Sequence, residues 1–247
     1  MKIGRFETNN IYCEDSFKAI CDIPDKSIDC IYTDIPYLYE SGGKGTSPLG
    51  QRIARLNYEE ITEIRKGIDL SIINEMIRIM KKINCFIWCS KLQIFDIMKY
   101  FLEKIKGKEI YFEILTWNKT NPTPTTNNSW LPDIEYCLYF REKGITYNSG
   151  YELKSKWYAS PINQKDKDKY EHPTIKPLAL VKRHILHTTQ PNDIVADFFM
   201  GSGTTCVACK DTERQYLGFE IEPKWFSIAQ DRLNCLAANG QISLFLT

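Results

Sequence analysis

Apolar residues fall along this chain in two rhythms. Short runs rich in β-branched and aromatic residues, bounded by polar or turn residues, alternate with longer segments whose apolar positions recur every three or four residues. The short runs, "NIYCED", "IDCIYTD", "NCFIWCS", "FEILTWNK", "IEYCLYFRE", "DIVADFF" and "QYLGFEI", read as strands. Among the longer segments, "TEIRKGIDLSIINEMIRIMKK" places Ile64, Ile68, Ile72, Met76 and Ile79 on one helical stripe. "KLQIFDIMKYFLEKI" does the same with Leu92, Phe95, Met98 and Leu102. Further helices are expected over "KPLALVKRHILHTT", "GTTCVACKD" and "PKWFSIAQDRLNCLAAN", the last with Pro223 near its first turn, where a missing N–H costs nothing.

Strand alternating with helix predicts an α/β fold, a doubly wound and mainly parallel sheet of seven strands, in a single domain over residues 1–247. "FEILTWNK" and "IEYCLYFRE" have no helix between them, only the turn-rich "TNPTPTTNNSWLPD", so one strand is expected to run antiparallel. Three irregular stretches remain, Ser41 to Leu56, Thr120 to Asp133 and Thr146 to His172. Loops of that length in a compact domain carry function or disorder.

Composition narrows the class. No apolar run approaches the roughly 20 residues that span a bilayer, and "MKIGRFETNN" has no signal-peptide core, so a cytoplasmic protein without a membrane segment is expected. The 9 cysteines lie mostly inside apolar runs, where thiols act as small hydrophobes. Cys206 and Cys209 form a close pair with no second pair beside it, and His184 and His187 stand alone, so no metal site is expected. Net charge is +1, without the basic surplus of a strong polyanion binder, although "KSKWYASPINQKDKDKY" and "KPLALVKRH" lean basic.

Two strand ends carry candidate chemistry. In "IDCIYTDIPYLYE" a buried strand ends on a carboxylate, Asp34, followed by Ile35, the rigid Pro36 and Tyr37. In "VADFFMGSGTTCVA" a strand runs through a turn with Gly201 and Gly203 into a helix, and the next strand ends in Glu220. Ligands of open α/β sheets bind beyond the carboxyl ends of strands, and an acid one strand on accepts ribose hydroxyls. An adenosine-containing ligand fits. A nicotinamide dinucleotide needs a third glycine where Cys206 stands, and a P-loop needs Gly-Lys where Thr204 follows Gly203. Asp197 would repel pyrophosphate and suits a positively charged ligand such as S-adenosylmethionine. The bland alternative is a glycine turn that only lets strand and helix pack closely.

Taken in order, "DIPY" and then "DFFMGSGTT" make the sequence resemble the amino-DNA methyltransferases, in the permuted β-class order with the catalytic motif first. That resemblance spans nearly the whole chain and implies a Rossmann-like S-adenosylmethionine-dependent fold. The family's motifs are (Asp/Asn/Ser)-Pro-Pro-(Tyr/Phe/Trp) and Asp-Pro-Phe-x-Gly-Ser-Gly-Thr; here Ile35 replaces the first proline and Phe198 the proline after Asp197. It implies catalysis by Asp34, Ile35, Pro36 and Tyr37 on a base rotated out of the duplex. Tyr37 would stack on the base, while Asp34 and the Ile35 carbonyl accept the amine hydrogens. The cofactor loop would comprise Asp197, Phe198, Gly201, Ser202, Gly203 and Thr204, with Glu220 on the ribose, Asp15 on the cofactor adenine, and Thr174 and Lys176 at its methionine end. Asp in first position points to adenine N6. N4-cytosine, RNA, and an inactive nucleic-acid-binding subunit of the same fold are the alternatives, with a nicotinamide oxidoreductase disfavoured by Cys206.

Duplex DNA is the expected partner, within restriction–modification and at the nucleoid. Lys44, Arg52 and Arg55 are candidate phosphate contacts. Residues 146–172, with Trp157 and Tyr158, form a candidate DNA-recognition insertion. In the tail 240–247, Gln241, Ile242, Ser243, Leu244 and Phe245 resemble the peptide by which bacterial proteins bind the sliding clamp. Family members are often homodimers.

Overall fold

The protein, a computed structural model, is described for residues 1–38, 67–122, 124, 130–145, 148, 150, 152–162 and 175–238. A hairpin of β1 (Lys2–Ile3) and β2 (Phe6–Glu7) precedes the main sheet. The sheet comprises β3 (Asn10–Cys13), β4 (Cys30–Asp34), β5 (Asn84–Cys89), β6 (Ile110–Lys119), β7 (Ile134–Glu142), β8 (Trp157–Ser160), β9 (Ile194–Asp197) and β10 (Gln215–Glu220). Its order is β3-β10-β9-β4-β5-β7-β6-β8, and β7 alone runs against the rest. The single reversed strand follows from the helix-free connection between β6 and β7. The sheet has eight strands among the described residues, not the seven expected. The extra one, β8, arises within the 146–172 stretch, where Trp157 to Ser160 pair in parallel with Thr116 to Lys119.

Helices cover both faces. On one side lie α1 (Ser16–Ala19), α2 (Ile72–Ile79) and α3 (Ile94–Lys104); on the other lie α4 (Leu178–Thr188), α5 (Thr204–Asp211) and α6 (Pro223–Ala238). Strand alternation serves the two layers separately. In β5, Cys85, Ile87 and Cys89 join the first core, while Phe86 and Trp88 join the second.

Two helix expectations need correction. Residues 67–71 are not helical, and α2 begins only at Ile72; residues 62–66 lie outside the described residues. Gly67 sits at φ +77°, and Asp69 accepts the Ser71 N–H at 2.9 Å in a side-chain turn that competes with helix. In α3 the buried stripe is Gln93, Ile97, Phe101 and Ile105, while Phe95 and Leu102 face outward. That helix is apolar on two sides, and the sheet selects the side on which Phe101 stacks against Phe140, with ring centroids 3.9 Å apart. No described helix is long and apolar enough to cross a membrane.

Candidate active site

The chain leaves β4 toward β5 on one side of the sheet and β9 toward β10 on the other, so the carboxyl ends of β4 and β9 flank a topological switch point. Both motifs sit there. Thr33 Oγ1 donates to Asp197 Oδ1 at 2.9 Å and ties the two strand ends together.

On the β9 side the turn is set by backbone. Gly201 has φ +50° and Gly203 φ +76°, both left-handed, and the Gly203 N–H closes on the Met200 carbonyl at 2.8 Å. Helix α5 starts at once. Glu220 braces the turn: Oε2 accepts the Gly201 N–H and Oε1 the Glu222 N–H, each at 2.9 Å. Burial raises its carboxyl, against these bonds. Asp15 lies nearby because Cys13 pairs with Glu220; its carboxylate accepts the Phe17 N–H at 2.9 Å and caps α1. Ser16 Oγ donates to the Phe198 carbonyl. The Phe198 side chain itself belongs to the core, stacked on Phe219 at 5.4 Å. Asp197 is buried and accepts from Thr33, Thr205 and the Phe199 N–H; desolvation pushes its carboxyl up to about 7. Ser202 and Thr204 are held by Arg232, whose guanidinium donates to the Ser202 carbonyl at 2.6 Å, to Ser202 Oγ at 2.9 Å and to Thr204 Oγ1 at 3.2 Å.

On the β4 side Asp34 pairs in register with Trp88, Trp88 with Cys137, and Trp117 with Glu135. The pleat therefore puts Asp34, Trp88 and Glu135 on one face at one end of the sheet. Lys176, 6% exposed, enters from the segment leading into α4. Its ammonium contacts Asp34 Oδ2 at 2.5 Å, Glu135 Oε2 at 2.9 Å and the Tyr37 hydroxyl at 3.2 Å. It also lies 5.0 Å from the Trp88 ring centroid and 5.4 Å from that of Tyr37. Glu135 Oε1 takes Lys119 at 2.7 Å. Burial would raise the Glu135 carboxyl, but Lys176 and Lys119 outweigh it and hold it down to about 2. At Asp34 burial wins, and the carboxyl is raised despite Lys176. Asp34 Oδ1 is buried and has no hydrogen-bond partner among the described residues.

The turn after Asp34 is anchored on three sides. The Ile35 N–H donates to the Trp88 carbonyl at 3.2 Å, and its side chain packs into the core with Ile73 and Ile97. Gln93 Nε2 donates to the Pro36 carbonyl at 3.0 Å, while Gln93 Oε1 accepts from the Ser90 N–H and hydroxyl. The lost proline at position 35 is thus replaced by core packing and a glutamine clamp. Beneath, Trp88 Nε1 donates to the Tyr32 hydroxyl at 3.0 Å, and that hydroxyl lies 3.2 Å from His184 Nδ1. Burial brings His184 down to about 3, so its ring is neutral and can accept.

The structure thus brings together the two sets read from sequence. Lys176, expected at the methionine end of the cofactor, is engaged with Asp34 and Glu135. Glu135, Lys119, Gln93 and Thr33 went unnoticed in the sequence. The only signal for the first two was a pair of opposite charges at the ends of apolar strands. Trp157 is exposed on β8, whereas Tyr158 packs inward, 5.8 Å from Arg183. Trp130 is 97% exposed just ahead of β7, five residues from Glu135. Thr174, Lys44, Arg52, Arg55 and Gln241 to Phe245 lie outside the described residues.

The model of a family described as DNA methylase matches residues 28–231. The chain is 31% identical over 245 residues to the type II methyltransferase M2.LlaDCHI of Lactococcus lactis subsp. cremoris, covering 92% of this chain and 89% of that protein. It is 30% identical to M2.DpnII of Streptococcus pneumoniae, covering 89% of this chain and 87% of the other. Among solved structures, the M1.HpyAVI–SAM complex superposes with a TM-score of 0.67 at 28% identity, over 91% of this chain and 99% of that one. PvuII DNA methyltransferase, cytosine-N4-specific, superposes with a TM-score of 0.65 at 16% identity, over 95% and 94%, a likeness of fold alone.

Proposed function

The chain belongs to the DNA methylase family and is an S-adenosylmethionine-dependent DNA methyltransferase, and on that premise we propose that it methylates the exocyclic N6 amine of an adenine rotated out of duplex DNA, with Asp34 as the acceptor. The observation that carries this reading is Asp34 Oδ1, a buried carboxylate oxygen without a donor among the described residues. Such an atom costs about 1–3 kcal/mol or more where nothing pairs with it, and an amine N–H from a substrate base would satisfy it. Asp34 Oδ1 and the Ile35 carbonyl would take the two amine hydrogens, which frees the nitrogen lone pair. The carboxylate also stabilises positive charge developing on that nitrogen. Tyr37 offers a ring for stacking, worth about 1–3 kcal/mol on single-strand platforms. Pro36, held by Gln93, limits motion of the turn.

The residues of the β9 side fit S-adenosylmethionine by donor type. Ribose hydroxyls and an adenine amine are donors, and Glu220 and Asp15 are acceptors unsuited to phosphate. Gly201 and Gly203 let backbone approach the ligand. Thr174, Ser202 and Thr204 complete the cofactor residues of this reading, and the cofactor bound there supplies the methyl group. For DNA, we read Trp130 and Trp157 as exposed stacking surfaces, and Lys44, Arg52 and Arg55 as phosphate contacts. The tail residues Gln241 to Phe245 are read as a clamp-binding peptide, and homodimer formation as the family's habit.

Asp34→Asn and Asp34→Ala test the assignment. Both variants are expected to keep cofactor affinity within about threefold, since β9 lies between the strand of Asp34 and that of Glu220, and to lose methyl transfer by on the order of 10³-fold, the size of one lost transition-state contact. Transfer by Asp34→Ala within tenfold of the wild type would remove Asp34 from the mechanism.

A further inference from the structure

We infer that Glu135 is a positioning residue for the reaction at Asp34, the pivot of a largely buried chain of alternating charge that runs Lys119, Glu135, Lys176, Asp34; this rests on the reading of Asp34 as the acceptor. The links are 2.7, 2.9 and 2.5 Å long. The four side chains are 15, 12, 6 and 26% exposed, so solvent screens the interior links little. The chain sums to zero charge, which is what burial of four ions demands.

Its geometry explains why one oxygen of Asp34 stays unpaired. Each oxygen of Glu135 takes one lysine, so the carboxylate cannot turn without releasing a cation. Lys176 has three donors and three acceptors around it, Asp34 Oδ2, Glu135 Oε2 and the Tyr37 hydroxyl. A lysine is a flexible point charge, and with Asp34 as its sole anion it would be free to share both carboxylate oxygens. Glu135 draws it to one side. Asp34 is thereby held by Oδ2 and presents Oδ1. Pro177 contributes by keeping the preceding Lys176 out of helical conformation, so its side chain leaves the backbone before α4 begins.

The chain predicts opposite electrostatic effects from its two central members. Asp34 is faced by Lys176 from the segment before α4, Glu135 from β7, Tyr37 from its own turn, Cys89 from β5 and Asp197 from β9. Lys176 pulls its carboxyl down and Glu135 pushes it up, both against a background of burial. Removing the lysine must therefore raise Asp34, and removing the glutamate must lower it. A residue that merely supports the fold would give no such pair of signs.

The experiment measures kcat, KM for duplex DNA and the pH dependence of kcat for wild type, Glu135→Gln, Lys176→Met and the double variant. Glu135→Gln is expected to lose about 10- to 100-fold in kcat, the cost of a misaligned reacting group, with KM changed less than about threefold. The acid limb of kcat is expected to move to lower pH in Glu135→Gln and to higher pH in Lys176→Met. The two losses should be less than additive, because the glutamate acts through the lysine. If Glu135→Gln does not fold, Lys119→Met serves: Glu135 then draws Lys176 off Asp34, kcat falls and the limb moves up. A kcat within twofold of wild type in Glu135→Gln, limbs that move the same way, or additive losses would overturn the inference while leaving the wild-type reaction intact. No transfer by the wild type would instead overturn the reading on which it rests.

Discussion

Gly203→Ala probes the hinge between β9 and α5. Position 203 sits at φ +76°, ψ 24°, a left-handed conformation. Alanine there costs about 1–2 kcal/mol in backbone strain. An added Cβ would also lie 2.9 Å from the Ala229 Cβ and 3.4 Å from its Cα. That contact involves a short side chain and helix backbone, neither of which can swing away, so overpacking adds about 1–3 kcal/mol. The expected loss is about 2–5 kcal/mol. In a chain of this size each kcal/mol moves the melting temperature by about 2–4 °C, so the fall should be at least about 4 °C. Gly107→Ala is the internal control. It has φ +86° with nothing within 4 Å of the added carbon, so it carries the strain alone. Thermal melts compare the two, and calorimetric titration with S-adenosylmethionine reads the effect on the turn, expected to be at least tenfold weaker binding in Gly203→Ala and none in Gly107→Ala. Adding Ala229→Gly to Gly203→Ala should restore part of the binding. Equal melting temperatures for the two alanine variants, with equal affinity, would refute the close approach of α6 to the turn.

Phe101→Ala should cost about 3–5 kcal/mol as a core cavity, while Phe95→Ala, on the exposed side of α3, should stay within about 0.5 kcal/mol; chemical denaturation of both decides which stripe faces the sheet. Asp197 has a folded value of about 7 against 3.8 for the free group. Between those values the folded protein holds a proton that the unfolded chain has released, so this group's contribution to stability falls as pH rises from about 4 to 7. Asp197→Asn should abolish that slope, and melts across the window that show the same slope in both proteins would contradict the buried placement. Trp130→Ala should raise KM for DNA by about 5- to 150-fold, the loss of one stacking surface, without altering cofactor affinity; steady-state kinetics and titration check the two parts.

Much of the fold was legible because the central strands β4, β5, β9 and β10 are short and mostly apolar, as strands covered on both faces must be. The reversed β7 could be read from its connection, which has turn residues and no helix. The eighth strand could not. "WYAS" pairs only at the sheet edge, beside "KSK", and its alternation is too short to separate from loop. The stripe of α3 differs from the one periodicity predicts because Phe95 and Leu102 are as apolar as Ile97 and Phe101, and periodicity does not say which side meets a sheet. The site divides in the same way. Asp34 and the glycine turn are local motifs at strand ends and show in sequence. Lys119, Glu135 and Lys176 are separated by 16 and 41 positions and meet only through the β6–β7 register and the entry of α4. Gln93 acts on a turn 57 positions earlier. No local pattern encodes such contacts.

The most direct test of the account is the identity of the methylated nucleoside. Purified protein is incubated with labelled S-adenosylmethionine and mixed-sequence duplex DNA, and the product is digested to nucleosides and separated. The account predicts label in N6-methyladenine. Label in N4-methylcytosine would keep the fold, the cofactor and the role of an amine acceptor at Asp34, and would contradict adenine as the base that Asp34 receives.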